Sequence, residues 1–191
     1  MKAALVLLLA AAQAPVIQLP PGVTQPADPL PVNLDFEDGA EGQLPPGWEL
    51  MQGSRLDGYS LEVRRSGCHG GSGCALLAAG KRTKDEAEGM MVQHLSGPAF
   101  ESSRRRMRAW VKFEPADPHE RAKVFFTVDR QDRTEIFQNK EKIRPGEWCA
   151  TEAEAWIRSD AETIHLAVVI TGKGKIWVDD VSFNEVVDTR K

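Results

Sequence analysis

The chain has 191 residues, with 24 Lys and Arg against 28 Asp and Glu and a formal net charge of −4. That length suffices for one ordinary domain with a core and is too little for two. The mildly acidic balance argues against a general nucleic-acid binder, which needs clustered basic charge. No apolar stretch reaches the about 20 residues of a membrane-spanning helix.

Met1 and Lys2 open the chain, and an apolar run from Ala3 to Ala12 follows. A positive end before a short apolar run is the pattern of a secretory signal peptide. Ala12-Gln13-Ala14 fits an A-x-A cleavage site, with Pro15 directly after it. Residues 1–14 are therefore expected to be a signal peptide, and the mature protein to be secreted or periplasmic. Their removal takes away Lys2 and changes the formal charge from −4 to −5. No cysteine follows the run, so a lipid-anchored bacterial form is not expected. Residues 15–32 carry six of the twelve prolines and read as an extended tether. The folded domain is expected over 33–187, with 188–191 as a tail.

From Asn33 onward, short apolar runs alternate with clusters of Gly, Pro, Asp and Ser. This rhythm predicts many short strands and an all-β domain. Weaker strands are expected at 33–36, 48–51, 59–63, 75–79, 90–95 and 148–157. The clearest strand covers 104–113. Met107, Ala109, Val111 and Phe113, with Arg105, form one face; Arg104, Arg106, Arg108, Trp110 and Lys112 form the other. Residues 122–128 follow with Val124, Phe126 and Val128 inward. The segment 133–142 suggests a helical turn without an apolar face. Residues 163–171 place Ile164, Leu166, Val168 and Ile170 inward and His165 outward. A Gly-Lys-Gly turn then leads into a last strand at 175–183. Nine or ten such strands predict an antiparallel two-sheet β-sandwich of the jelly-roll kind.

Three cysteines are present. In an oxidising compartment Cys68 and Cys74 are expected to pair across the Gly-rich loop between them, leaving Cys149 over. Three buried thiols are the alternative in a reducing one. Catalytic signals are poor. Gly70-Gly71-Ser72-Gly73-Cys74 lacks the final glycine of a nucleophile elbow. The histidines His69, His94, His119 and His165 show no zinc spacing. Asp179 and Asp180 are adjacent, so on a strand they point to opposite faces. The expectation is a protein that is not an enzyme.

The run from Asn33 to Gly39 followed by Pro45-Pro46-Gly47-Trp48 resembles the opening of bacterial carbohydrate-binding-module jelly rolls, in the galactose-binding-like superfamily. The loop from His69 to Cys74, the strand around Met107–Lys112 and the closing Gly174–Phe183 resemble later landmarks of that family. Val128-Asp129-Arg130, Phe137-Gln138-Asn139 and Arg144-Pro145-Gly146 with Trp148 are similar to ancillary sandwich domains of bacterial hydrolases. The resemblance spans about 33–186 and implies the fold more than a ligand.

It also implies a structural Ca2+ ion, with Glu37, Asp180 and carbonyls near 70–72 as ligands. Solvated edge charges or turn hydrogen bonds are the other reading of Glu37 and Asp180. The expected binding face is the outer side of the 104–113 strand. There Trp110 offers a ring for a sugar, and Arg108 and Arg106 offer hydrogen-bond donors. Gln93, Asp129 and His165 would join it if their strands are neighbours. A core role is the alternative for Trp110, and Trp48, Trp148, Trp156 and Trp177 are read as packing. The partner is then a glycan or cell-wall polysaccharide; an envelope protein bound by a sandwich without a sugar site is the alternative.

Overall fold

The computed structural model describes residues 30–187. The expected signal peptide, most of the Pro-rich tether and the 188–191 tail lie outside them. No helix among the described residues is long and apolar enough to cross a membrane.

The strands are β1 (Glu49–Leu50), β2 (Tyr59–Arg64), β3 (Cys74–Ala79), β4 (Glu88–Ser96), β5 (Ser103–Glu114), β6 (Ala122–Asp129), β7 (Thr134–Gln138), β8 (Trp148–Ile157), β9 (Thr163–Thr171) and β10 (Lys175–Glu185). A short helix, α1 (Gln52–Leu56), follows β1, and a 3-10 turn (Gly97–Phe100) follows β4. The strands pair antiparallel in two five-stranded sheets. The front sheet runs β1-β4-β9-β6-β7 and the back sheet β2-β3-β10-β5-β8. The expected all-β sandwich is what forms.

Period-two alternation produces the core. β5 buries Met107, Ala109, Val111 and Phe113, and β9 buries Ile164, Leu166, Val168 and Ile170. Each strand has one apolar face, and two sheets bury those faces against each other. Aromatic rings link the layers. Phe126 of β6 meets Phe183 of β10 edge-on at 5.3 Å between centroids. Phe137 of β7 packs on Phe126 at 5.2 Å, and Phe100 on Phe183 at 5.3 Å. Arg105, the odd member of the inward set, lays its guanidinium over the Phe100 ring at 5.2 Å.

Two local expectations are corrected. Residues 33–36 form a turn, with Asn33 and Phe36 at φ 47° and 54°. The Asn33 side chain ties that turn together: its carbonyl accepts from Asp38 N at 3.0 Å and its amide donates to Pro46 O at 3.1 Å. The segment 133–142 contains the edge strand β7, because Thr127↔Ile136 and Phe125↔Gln138 pairing with β6 satisfies a backbone that its side chains leave undecided.

Phe126 is fully buried, so Phe126→Ala is expected to cost about 3–5 kcal/mol. Denaturant unfolding measures this, and a loss below about 1 kcal/mol would refute the inter-sheet role of the ring.

Candidate functional site

The outer faces of the two sheets differ. On the back sheet, Arg104, Arg106, Arg108, Trp110 and Lys112 of β5 do face outward, opposite Trp156, Glu154, Glu152, Ala150 and Trp148 of β8. Arg106 is not a vacant donor. Its Nε lies 2.8 Å from Glu154 Oε2 and its terminal nitrogen 2.6 Å from the same oxygen. Arg104 reaches the other oxygen of Glu154 at 2.5 Å. Arg108 has no carboxylate partner among the described residues and stands 5.8 Å from the Trp110 ring centroid.

Trp110 is neither core nor open platform. The ring of His69 stacks on it at 3.8 Å between centroids and 15° between planes, with Trp148 edge-on to the imidazole at 5.7 Å. The loop carrying His69 is folded down over this half of the sheet. Cys68 and Cys74 are bridged at its base, with Cα atoms 5.4 Å apart, as expected, while Cys149 is a free thiol.

Three carboxylates hold the loop. Glu37 accepts from Ser72 N at 2.7 Å, Gly73 N at 3.0 Å and Ser72 Oγ at 2.6 Å. Successive amides converging on one anion form a nest. The Ser72 hydroxyl first, then the Ser72 and Gly73 amides, hold the Glu37 carboxyl below its ordinary value. Buried Asp179 accepts from His69 N at 2.9 Å and Gly70 N at 3.0 Å. Burial pushes its carboxyl above the usual range. Asp180 Oδ2 lies 2.7 Å from His69 Nδ1. Asp179 and Asp180 reach the same loop because the β10 register shifts there and Asp180 turns to φ 45°. That bulge overrides the rule that neighbours on a strand point apart. A Cβ at Gly71, which sits at φ 52°, would collide with the Glu37 carboxylate.

These residues do not fit calcium. The ion needs six to eight oxygens, but the loop turns amide N–H groups toward Glu37 and Asp179. No cluster of three His, Cys, Asp or Glu suited to a metal occurs among the described residues. A fixed cation is already present: the Arg65 guanidinium donates to Glu37 O at 3.1 Å and to Gly39 O, and lies 3.8 Å from Glu37 Oε2.

On the front sheet, Val92 and Ala167 at the centre of the outer face are buried, whereas Phe125 is half-buried. The outer face of this sheet crosses five strands as Glu49, Val92, Ala167, Phe125 and Gln138, with a second row of His94, His165, Thr127 and Ile136. The centre is apolar and one flank is polar. His165 and Asp129 lie here together; Trp110, Arg108 and Arg106 lie on the opposite sheet. The structure thus separates the expected site into two groups. Gln93 belongs to neither. It is 2% exposed on the inner side of β4, and its amide exchanges two 2.9 Å hydrogen bonds with the backbone of Val32. It anchors the entering chain as a strand partner would.

The polar flank is a connected row. Asp129 Oδ2 lies 2.7 Å from His165 Nε2, and His165 Nδ1 lies 2.5 Å from His94 Nδ1. His94 Nε2 lies 3.8 Å from Glu49 Oε2. Asp129 accepts, so His165 Nε2 carries hydrogen, and a proton is shared between His165 Nδ1 and His94 Nδ1. His94 Nε2 and the Glu49 carboxylate end the row together. Burial first, and the neighbouring His165 second, lower the proton affinity of His94. Hydrogen bonding from His165 leads the causes that hold Asp129 below its ordinary value. Sequence reasoning missed His94, Glu49 and Phe125. Placing Gln93 on the binding face would turn His94 inward on the same strand; the structure reverses the two, and the β4–β9–β6 register brings His94 to His165.

No family model matches the sequence, and no curated protein matches it closely enough to count as a relative. Solved structures do match in fold. The C-terminal family 22 carbohydrate-binding module of Clostridium thermocellum Xyn10B superposes with TM-score 0.60 at 11% identity, over 82% of this chain and 93% of that one. TmCBM61 in complex with β-1,4-galactotriose gives 0.53 at 17%, over 81% and 97%. The chain shares the β-sandwich fold of these modules. A longer C. thermocellum Xyn10B structure, with CBM22-1 and GH10 modules and xylohexaose, gives 0.58 at 15% over 76% of this chain, which spans only 27% of it.

Two outcomes are expected. Chelator should leave the melting temperature unchanged, whereas Arg65→Ala should lower it; a calcium-dependent rise would refute the arginine's role. The second concerns pH. Because His94 has a lowered value in the fold, the unfolded chain binds more protons across that window, and stability is lost as pH falls through the ordinary imidazole range. The lowered Asp129 extends the loss in the same direction at more acid pH. His94→Gln should flatten the upper part of that profile in pH-dependent unfolding, and an unchanged slope would refute the assignment.

Proposed function

We propose that the chain is an exported, non-catalytic module that binds a glycan or cell-wall polysaccharide on the outer face of its front sheet. The observation that carries this reading is the row Asp129, His165, His94 and Glu49 beside half-buried Phe125. A sugar presents hydroxyls along its edge and C–H groups on its face. With His94 Nε2 unprotonated, it and Glu49 form a pair of acceptors that suits a vicinal diol giving one hydrogen to each. Phe125 lies two strands away, about 10 Å by strand spacing, where a second sugar ring can rest on it.

The fold comparisons support this reading, since the superposed modules include a xylan-binding domain and one bound to β-1,4-galactotriose. The Cys68–Cys74 bridge and the apolar opening run support export.

Titration calorimetry with xylohexaose and β-1,4-galactotriose, followed by a wider polysaccharide screen, tests the proposal. Saturable binding is expected, weakened about tenfold or more, roughly 1.4 kcal/mol, in Phe125→Ala and His94→Ala with unchanged melting. Trp110→Ala should retain binding. Folded protein that binds no glycan would overturn the reading in favour of an envelope interaction domain.

A further inference from the structure

The sandwich is open along one side, where β7 of the front sheet and β8 of the back sheet run as unpaired edges. Two cavities occupy this seam. One, of about 560 Å³, is lined by Trp156, Glu135, Arg130, Arg158 and Ser102 among others. The second, of about 780 Å³, is lined by Arg104, Arg108, Ile136, Lys140 and Glu152 among others. They share Phe137 and Glu154 and so form one groove.

Two features of this groove point to a ligand. Trp156 is 59% exposed and Ile136 63%, although a domain of this size has room to bury both; Trp156 is thus not the packing residue expected from sequence. Arg130 lines the floor with a side chain only 3% exposed, held by Glu135 and, through its Nε at 3.4 Å, by Asp160. Arg108 and Lys140 have no carboxylate partner among the described residues, in a protein whose overall balance is acidic. The lining sets Arg104, Arg108, Arg130, Arg158 and Lys140 against Glu135, Glu141, Glu152 and Glu154, so the unbalanced positive charge sits at Arg108 and Lys140.

We propose that this seam is a second ligand site, distinct from the front face, and that it takes an acidic oligosaccharide. One sugar ring lies on the exposed indole of Trp156, and a uronic carboxylate pairs with Arg108 and Lys140. Trp156 pairs with Arg104, and Arg108 lies four residues further along β5, about 13 Å at strand rise. That separation suits a short oligosaccharide rather than a single sugar. The walls alternate hydroxyl, carboxylate and guanidinium groups around the aromatic surface, which matches a ligand with hydroxyl edges and apolar ring faces.

The test uses a galacturonate hexasaccharide, its methyl-esterified form and a hexaglutamate peptide, read by tryptophan fluorescence and calorimetry. Saturable binding of the galacturonate is expected, falling with added salt. Binding should drop at least tenfold in Trp156→Ala, in the Arg108→Ala, Lys140→Ala pair and for the esterified chain. Phe125→Ala should leave it unchanged, which separates this site from the front face. No binding of the galacturonate overturns the proposal, as does binding that survives Trp156→Ala. Equal binding of hexaglutamate overturns the saccharide assignment, because the groove would then read charge alone.

Discussion

Everything in this molecule depends on the contact between two inner sheet faces, where Phe137, Phe126, Phe183 and Phe100 run in sequence through the layers. Strands offer only two faces. Once one face of each sheet is committed to that contact, chemistry is confined to the outer faces and the open seam. The aromatic row also explains why the seam exists: Phe137 belongs to the core at one side and to the groove wall at the other.

The two outer faces then take different courses. The back face is closed over its aromatic half by the 65–73 loop, and beyond it Arg104 and Arg106 are paired with Glu152 and Glu154 in a ladder, while Arg108 has no carboxylate partner among the described residues. Each ladder pair is partly solvated and stabilises little by itself. The ladder instead sets the register of β5 and β8 and occupies side chains that would otherwise compete for a ligand. The front face keeps its polar row in hydrogen-bonding geometry. Binding surface on this molecule is what remains after the loop and the ladder have used the rest.

Fold class was legible in the sequence because period two is a local signal. Strands such as β5, β6 and β9 show it within a few residues, and their inward sets were read correctly. β7 was not legible, since an edge strand with Ile136 in solvent does not need the alternation that burial enforces. The binding face was half legible for a different reason. Alternation tells which residues face outward, but not which sheet a strand joins. Asp129 and His165 were paired with Trp110 on that basis, although β6 and β9 lie in the sheet opposite β5. The Asp179-Asp180 pair misled in the same way, because a bulge at a positive φ is invisible to a rule of strict alternation. Gln93 read as a ligand donor because nothing local announces a side chain that replaces a strand partner.

The position of β10 has a consequence for how the protein is made. It is the last strand in the chain yet the central strand of the back sheet, between β3 and β5. It also carries the carboxylates that hold a loop 110 residues earlier. Contacts of such sequence separation form slowly. During synthesis β3 and β5 therefore present two apolar edges with no strand between them until nearly the whole domain has emerged. Such edges invite pairing with other chains. The protein must be kept apart from its copies over that interval, and the final eleven residues of sheet convert an aggregation-prone chain into a closed one.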